Sequence, residues 1–301
     1  MAVGIIDGGV QVDHPDLEAN IWTNAGETGT DGNGQDKSTN GKDDDGDGLV
    51  DDVHGWDFAH RKGTVYDAEN SDYHGTHVAG IIGAVGNDSG VVGINWNVSI
   101  ITAKVYGATD APTDRLVEAI NFFVRLKKFG VNLVAINNSW AGKPYDQSLL
   151  EAIKLAARSG ILFIAAAGNV GNNNDTAPVY PASYDTQVQG GTPGVNYDSV
   201  IAVAAIDRYG SLAGSNYGLK SVDIGAPGED IISTVPPDTY DYLSGSSQAA
   251  PHVTGAAALY ASTHPTATAE NIRLALLESA IPTASLQGKT VTGARLNVAG
   301  F

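Results

Sequence analysis

Residues 133–166, LVAINNSWAGKPYDQSLLEAIKLAARSGILFIAA, decide the fold of this 301-residue chain. Leu133–Ser139 and Leu162–Ala166 are apolar runs of strand length. Between them, Leu149–Ala157 places apolar residues three and four positions apart, which is the spacing of an amphipathic helix. A helix that joins two buried strands indicates a parallel sheet covered by helices.

The same alternation continues on both sides of this unit. Further strands are predicted at Val3–Ile6, Ser99–Tyr106 and Val200–Ala205, and further helices at Leu116–Phe129 and Ala249–Tyr260. This pattern predicts an α/β fold of three layers, with a mostly parallel central sheet and helices on both faces. Because no linker or repeat divides the chain, we expect one domain spanning residues 1–301.

Two long stretches interrupt the alternation. Residues 24–70 are rich in Asp and Gly, and residues 168–199 are rich in Gly, Asn and Pro, with an extra loop expected at about 186–196. Loops of this length in a compact domain are usually functional or are held by a ligand. The first stretch is interpreted below as a calcium-binding insertion.

Composition excludes several classes of function. Acidic residues outnumber basic ones 34 to 17, and the formal net charge of -17 disfavours nucleic acid and anionic membranes as partners. The chain has no cysteine, so disulfides, zinc–thiolate sites and a cysteine nucleophile are excluded. No apolar run approaches the roughly 18 residues that a membrane span needs.

Three short motifs carry reactive side chains. Asp7 ends a strand in GIIDGG (4–9), His74 opens HGTHVAG (74–80), and Ser247 lies in LSGSSQAAPH (243–252). Each alone is a weak signal, since an Asp-Gly turn, a structural histidine and a serine N-cap are all common. Together, a carboxylate, an imidazole and a hydroxyl in the order Asp, His, Ser supply the groups of a charge-relay triad.

These motifs resemble the signature segments of the subtilisin family. The similar segments are IIDGGVQVDHPDL (5–17), HGTHVAG (74–80), AAAGN (165–169), VDIGAPGEDIIST (222–234), SGSSQAAPHVTGAAAL (244–259) and GARLNV (293–298). The resemblance implies a serine endopeptidase that works through an acyl-enzyme. Ser247 would be the nucleophile, His74 the general base and acid, and Asp7 the group that orients His74.

The resemblance also implies residues that bind the substrate. Asn169 and the amide of Ser247 would donate to the oxyanion. The implied substrate-binding residues are Ser139, Trp140, Ala141, Gly142, Ala166, Ala167, Gly168 and Val179. Ala141 stands where the family usually has Gly, which would narrow the cleft. Val179 at the pocket floor would favour medium apolar side chains over large aromatic ones.

The segment DDDGDGLVDD (43–52) is typical of the opening of a calcium loop. His54 stands where an EF-hand has its bidentate Glu, so Asp52 or Asp51 must close the shell. Crowded carboxylates repel one another unless a cation neutralises them, although a solvated acidic loop is the alternative. The predicted Ca²⁺ ligands are the side chains of Asp43, Asp45, Asp47 and Asp52 and the carbonyl of Leu49.

The family resemblance implies a second calcium site. Its ligands would be Asp16, Val85, Asn87, Ser89 and Val91. Relatives take one more ligand from a segment upstream of the first strand, and this chain begins only six residues before Asp7. We therefore expect this second site to be weakened or empty.

Partners and localisation follow from the same resemblance. We expect polypeptide substrates, a monomer, and a precursor with a pro-segment that this chain lacks. Calcium and family habit imply export, although intracellular relatives exist. Two rival functions stay open, namely a catalytically silent calcium-stabilised binding domain and acyl transfer to an acceptor other than water.

Overall fold

The computed structural model describes residues 1–107, 110–187, 193–299 and 301, so residues 188–192 of the expected extra loop lie outside the described residues. The described chain forms one large sheet and a separate antiparallel hairpin. The hairpin consists of β8 (Ile231–Val235) and β9 (Thr239–Leu243). The large sheet consists of β1 (Ala2–Asp7), β2 (Gly55–Asp57), β3 (Ser99–Lys104), β4 (Leu133–Asn138), β5 (Leu162–Ala166), β6 (Val200–Ile206), β7 (Ile224–Pro227), β10 (Ile281–Pro282) and β11 (Ala294–Arg295).

The sheet is mostly parallel, as the alternation predicts. Its strand order is β10-β11-β7-β6-β5-β4-β1-β3-β2, and only β10 runs antiparallel to its neighbour. The predicted strand at 162–166 coincides with β5, and the other predicted strands end within two residues of the observed ones. Strand β1 lies at the interior of the sheet, between β4 and β3.

Helices cover both faces of the sheet. Five α-helices are described: α1 (Asn70–Gly83), α2 (Thr113–Lys128), α3 (Gln147–Arg158), α4 (Ser246–Thr263) and α5 (Ala269–Glu278). Residues of α2 and α3 pack in one apolar cluster, and residues of α1, α4 and α5 pack in the other. The predicted three-layer α/β architecture is therefore confirmed. No helix in the described part of the chain is long and apolar enough to cross a membrane.

The two clusters use opposite sides of the same strands. Ile6 points into the α2–α3 cluster, whereas Val3 and Ile5 point into the cluster with α1 and α4. At Gly4, an added Cβ would lie 2.5 Å from the ring of Phe123. A larger residue there would push α2 off the sheet, so glycine at this position lets the helix pack closely on β1.

The acidic insertion at 24–70 belongs partly to the sheet. It contains short 3₁₀ helices at Ala25–Glu27 and Lys37–Thr39, and then β2. Strand β2 pairs in parallel with β3 and forms the edge of the sheet. The insertion therefore leads from the acidic loop directly to the carboxyl edge of the sheet, where α/β folds usually hold their chemistry.

Candidate active site

Asp7 and His74 form a hydrogen-bonded pair at the carboxyl edge of the sheet. Asp7 is the last residue of β1 and is only 3% exposed. Its Oδ1 accepts from the amide of Gly8 at 2.7 Å and from Nδ1 of His74 at 2.8 Å. Because an ionised carboxylate only accepts hydrogen bonds, Nδ1 of His74 carries the proton and Nε2 is left to accept another.

The environment of His74 favours its protonated form. The side chain lies in the first turns of α1 and is 35% exposed. Burial lowers the pKa of His74, but the charge of Asp7 and their hydrogen bond raise it more, so the net pKa is above its ordinary value. Such an imidazole can take a proton and hold it as imidazolium.

Two further histidines near the site are held by backbone groups. Nε2 of His77 lies 2.9 Å from the carbonyl of Ile231, and Nδ1 of His252 lies 2.8 Å from the carbonyl of Gln248. Burial lowers the pKa of each ring to about 4. Both rings are therefore neutral at pH 7 and hydrogen-bonded.

Ser247 is the second residue of α4 and is tied to the strand-end residue Ser139. Its hydroxyl donates to the carbonyl of Ser139 at 2.9 Å, and the Ser139 hydroxyl donates to the carbonyl of Ser247 at 2.7 Å. Gly245, which precedes α4, has a φ of 149° and lies beside Asn169. Among the described hydrogen bonds, the Ser247 hydroxyl rests on Ser139 and not on His74.

The Asp7–His74 pair and Ser139, which follows β4, line the same cavity. Asp7, His74, Tyr106, Ser139 and Trp140 line a cavity of about 430 Å³. Ser247 is joined to its wall through the two hydrogen bonds with Ser139. A larger cavity of about 770 Å³ is lined by residues of the acidic insertion together with Val12 and Asp13, and none of these groups lines it. The smaller cavity is therefore the candidate active site.

Two hydrogen-bond donors are unused beside Ser247. The carboxamide oxygen of Asn169 accepts from the amide of Ser246 at 2.7 Å and from its hydroxyl at 2.8 Å. The Ser246 hydroxyl also accepts from the amide of Gly168 at 3.0 Å. In the described chain, neither Nδ2 of Asn169 nor the amide of Ser247 has a protein acceptor. Two free donors at a helix N-terminus can stabilise an oxyanion.

The other expected substrate-binding residues are split between core and surface. Ala166, Ala167 and Gly168 are buried at the end of β5, whereas Ala141 and Gly142 are exposed. The Gly142 amide donates to the carbonyl of Tyr180 at 3.1 Å, which brings the segment of Val179 against this edge. Within the described residues no hydrogen bond joins Val179 to the triad, so its role as the pocket floor stays a prediction.

Comparison with known proteins gives the family. A model described as the subtilase family matches residues 1–299. The chain belongs to the subtilase family. It is 32% identical over 306 residues to subtilisin-like protease 1 of Plasmodium berghei, covering 98% of this chain and 48% of that protein. It is 37% identical over 209 residues to subtilisin DY of Bacillus licheniformis, covering 69% of this chain and 70% of that protein.

Solved structures agree with the family. The protease domain of PatA, solved as a mutant, superposes with a TM-score of 0.71 at 25% identity, covering 100% of this subtilase and 93% of that chain. A cold-adapted subtilisin-like serine proteinase shares the fold at a TM-score of 0.67 and 24% identity, covering 98% of this chain and 86% of that one. The chain spans about half the length of the Plasmodium relative. The chain is thus a member of the subtilase family with a subtilisin-like fold.

The acidic loop of this subtilase brings carboxylates together in two groups that share Asp45. Oxygens of Asp43, Asp45 and Asp47 lie within 4.8 Å of one another, and so do oxygens of Glu27, Asp45 and Asp52. Asp51, the alternative to Asp52, accepts from the amide of Gly41 at 3.1 Å instead.

Glu27 was missed by the sequence reasoning, because it lies 16 residues before the acidic run begins at Asp43. It is fully buried, and its Oε1 accepts from the amides of Asp44 and Asp45 at 2.6 and 3.1 Å. A glutamate in the apolar-flanked segment IWTNAGE (21–27) was the only sequence signal. The second carboxylate group is therefore completed by Glu27, which precedes the acidic run, as well as by Asp52.

Three carboxylate oxygens of these two groups are buried without a hydrogen bond. They are Oε2 of Glu27, Oδ2 of Asp47 and Oδ2 of Asp52. Burial, and next the charge of Asp47, raise the pKa of Asp52 to about 8. Burial also raises the pKa of Glu27 and of Asp47. Unpaired buried oxygens with raised pKa values fit a hard cation such as Ca²⁺, which prefers carboxylate ligands.

The second expected calcium site is arranged differently. The Asp16 carboxylate accepts from the Val91 amide and the Tyr240 hydroxyl, each at 2.9 Å, and from Nδ2 of Asn87 at 3.2 Å. The side-chain oxygen of Asn87 accepts from the amide of Ser89 at 2.9 Å. Protein donors already occupy the Asp16 carboxylate, so the residues of this site fit a cation less well than those of the acidic insertion do.

Proposed function

We propose that this subtilase hydrolyses internal peptide bonds of polypeptides, with Ser247 as nucleophile, His74 as base and Asp7 as the group that orients it. The observation that carries the proposal is the 2.8 Å hydrogen bond between Asp7 and Nδ1 of His74, on the wall of the cavity that Ser139 shares. With Nδ1 of His74 held by Asp7, Nε2 is left to accept, which is what a serine nucleophile needs of its base.

Acylation starts when the Ser247 hydroxyl turns from the Ser139 carbonyl towards Nε2 of His74. The Ser247 oxygen then attacks the scissile carbonyl carbon while its proton moves to Nε2. The carbonyl oxygen becomes an oxyanion, and Asp7 stabilises the imidazolium. Collapse of this intermediate breaks the C–N bond, and the proton on Nε2 passes to the leaving amine.

Deacylation repeats the sequence with water. His74 takes a proton from the water, which attacks the ester carbon, and then returns a proton to Ser247. In both steps Nδ2 of Asn169 and the Ser247 amide would donate to the oxyanion. Removing one such donor lowers kcat by about 10²- to 10³-fold, a figure that itself comes from a subtilisin. Ser246 orients Asn169 by occupying its carboxamide oxygen.

We also propose a structural Ca²⁺ ion in the acidic loop. Asp43, Asp45, Asp47 and Asp52 would hold it, with Glu27 and the Leu49 carbonyl as further ligands. When bound, the ion supplies the positive charge that the three unpaired buried carboxylate oxygens lack. Its effect is on stability, because the loop carries none of the groups that react.

Other properties of the whole protein are proposals at the same level. Polypeptide substrates follow from the open cavity beside Ser247 and from the family. Export, a precursor with a pro-segment and a monomeric state rest on family habit. A second Ca²⁺ at Asp16 and the loop 85–91 would have to displace the donors of Tyr240 and Val91.

Covalent labelling tests the proposed function directly. Folded protein in millimolar Ca²⁺ should cleave casein, and a serine-directed phosphonyl reagent should stop cleavage with one adduct on the peptide that contains Ser247. An adduct on another residue, or cleavage that survives full labelling, would contradict the proposal. Folded protein that cleaves nothing would indicate a silent binding domain, and products carrying an added amine in place of a free carboxylate would indicate acyl transfer.

The pH dependence of activity should report His74. The ring must be neutral to accept the Ser247 proton, and its pKa lies above the ordinary value of 6.5. We therefore expect kcat/KM to rise with pH along a limb whose midpoint lies above 6.5. A pH profile with a chromogenic peptide measures this limb, and a midpoint below 6.5 would contradict the assignment.

A further inference from the structure

A buried ionic network beside the triad is not used by the proposed chemistry. Its centre is Lys104, the last residue of β3, whose side chain is fully buried. Lys104 is in register with Asp7 of β1 on one side and with Asp57 of β2 on the other. Residues in register on neighbouring parallel strands face the same side of the sheet, so Lys104 lies next to Asp7 on the face that α1 covers.

The ammonium group of Lys104 contacts the segment that leads into α1. Its Nζ lies 2.8 Å from Asp72, 3.0 Å from Asp67 and 3.1 Å from Glu69. Burial lowers the pKa of Lys104, but its hydrogen bonds to these carboxylates raise it more, so the group stays charged. Asp72 is also fully buried, which makes the Lys104–Asp72 contact an ion pair closed off from water.

Asp72 joins the two elements that carry Asp7 and His74. Its Oδ1 accepts from the amide of Gly9 at 2.8 Å, and its Oδ2 accepts from the amide of Glu69, just before α1, at 3.2 Å. Gly9 follows Asp7 by two residues, and Asp72 precedes His74 by two residues. One carboxylate therefore connects the turn after β1 to the first turn of α1.

The two elements are in direct backbone contact at this point. A Cβ added to Gly9 would lie 2.5 Å from Oδ1 of Asp72, and one added to Gly75 would lie 2.4 Å from the Gly9 carbonyl oxygen. Packing this close leaves no room for a relative shift without breaking the hydrogen bonds to Asp72. The separation of β1 and α1 is therefore set by these contacts.

A metal site is the other interpretation of this network. Asp57, His60 and Asp67 bring ligand atoms within 4.8 Å of one another. However, the ammonium groups of Lys62 and Lys104 already contact Asp67. They supply the positive charge that a cation would bring, so the network is complete as an ion cluster.

We infer that the Lys104–Asp72 ion pair is a positioning device that holds the turn after β1 and the first turn of α1 at the separation required by the Asp7–His74 hydrogen bond. Lys104 and Asp72 act through Asp7 and His74, so they are positioning residues. The inference rests on the proposed function only in taking Asp7 and His74 as the catalytic pair.

Asp72→Asn tests the inference, because it keeps the shape and removes the charge. We expect kcat per active site to fall about 10- to 100-fold, as for a misplaced catalytic group, with KM changed less than about twofold. A displaced His74 loses part of the support of Asp7, so the acidic limb of kcat/KM should move to lower pH. The low-field proton resonance of Nδ1–H should weaken or move upfield.

The pH readout depends on the groups around His74. Asp7 faces the ring from β1, His77 interacts with it from the next turn of α1, and Tyr106 after β3 lines the same cavity. None of these side chains is changed in the variants. Asp72→Asn and Lys104→Met remove charges of opposite sign, so a direct charge effect would move the limb in opposite directions. A limb that moves to lower pH in both variants therefore reports the geometry of the Asp7–His74 pair.

Matched variants separate positioning from general stability. Glu118→Gln removes an exposed ion pair with Arg61 and should leave kcat and the acidic limb unchanged. Lys104→Met should reproduce the effect of Asp72→Asn. Lys104→Arg keeps the charge, so its acidic limb of kcat/KM should lie close to the pH of the unmodified protein. Titration with the phosphonyl reagent counts only folded, competent sites, so partial unfolding cannot imitate a lower kcat.

Two results would overturn the inference. The first is that Asp72→Asn keeps a normal kcat per titrated site and an acidic limb of kcat/KM at the same pH, even if its Tm is lower. If Asp72→Asn does not fold, Glu69→Gln decides, since its partly exposed side chain tolerates change. In Glu69→Gln, a smaller shift of the acidic limb to lower pH supports the inference. The absence of any shift is the second result that would overturn it. Failure of the proposed function would differ, because the unmodified protein would then not cleave or label.

Discussion

Ser247→Ala should lower kcat for peptide hydrolysis by roughly 10⁴- to 10⁶-fold, the upper figure being one measured in a subtilisin. Without the hydroxyl there is no nucleophile for His74 to activate, and only binding and oxyanion donors still act on a bound peptide. The amide of Ser247 is kept in the alanine variant, so those donors stay in place. Burst and steady-state rates with a chromogenic peptide measure the loss.

The same substitution should change binding and stability little. It removes the hydrogen bond from the Ser247 hydroxyl to Ser139, which is worth about 1 kcal/mol. That corresponds to a change in Tm of about 1.6 °C for a chain of 301 residues. A peptide inhibitor that forms no covalent bond should bind with unchanged Kd.

Ser244→Ala is the matched control for this result. Ser244 lies three residues earlier, is exposed, and accepts only from the amide of Asp230. Its replacement should leave kcat within about threefold of the unmodified protein, as expected of a surface change. If Ser244→Ala and Ser247→Ala lost activity equally, the loss would reflect the entry to α4 and not the nucleophile.

Removing calcium should lower the melting temperature by roughly 6 °C. An ion present at about 1,000 times its Kd stabilises the folded state by about 4 kcal/mol, and each kcal/mol shifts the Tm of a 301-residue chain by about 1.6 °C. The stabilisation arises because the ion pairs with carboxylate oxygens of Glu27, Asp47 and Asp52 that are otherwise buried and unpaired. Calorimetry with chelator and with millimolar Ca²⁺ measures the shift.

The calcium effect should depend on pH through Asp52. Its pKa is about 8 in the folded protein and 3.8 ordinarily, so between these values the folded carboxyl keeps a proton that the unfolded chain releases. The calcium-free protein is therefore expected to lose stability as pH rises from about 4 through 8. Calcium displaces that proton, and its stabilising effect should grow across the same window. Melting curves at pH 5 and pH 8 measure the trend.

Neighbouring acids of the same loop provide the control. Asp52→Asn and Glu27→Gln should remove most of the difference between melting with calcium and with chelator. Asp44→Asn should keep it, because Asp44 belongs to neither carboxylate group and accepts from Asn40. Equal melting of the unmodified protein in chelator and in calcium would show that the loop is a solvated acidic segment.

The fold could be predicted because its signals are local. Strand β5 is an unbroken apolar run, and α3 repeats apolar residues at helical spacing, so each was visible in a window of a few residues. The family was recognisable because Asp7, His74 and Ser247 each sit in a long motif. The candidate site therefore followed from short segments and not from any knowledge of the sheet order.

The supporting contacts could not be predicted, because they depend on topology. Lys104 lies beside Asp7 only because β3 pairs with β1, and its contact with Asp72 joins residues 32 positions apart. Glu27 joins Asp45 and Asp52 only because the segment around it packs against the acidic run, which the sequence does not reveal. The resting rotamer of Ser247 in α4 is set by the carbonyl of Ser139, which follows β4 and is distant in sequence.

The mutual hydrogen bonds of Ser139 and Ser247 have a kinetic meaning. At rest the Ser247 hydroxyl is hydrogen-bonded to Ser139, in the segment along which a substrate chain would lie. The hydroxyl is therefore not yet in contact with the base that would activate it. In the proposed mechanism, the Ser247 hydroxyl reaches Nε2 of His74 by a rotation about its Cα–Cβ bond, which breaks the hydrogen bond to Ser139. This rotation is therefore a conformational step that precedes the attack.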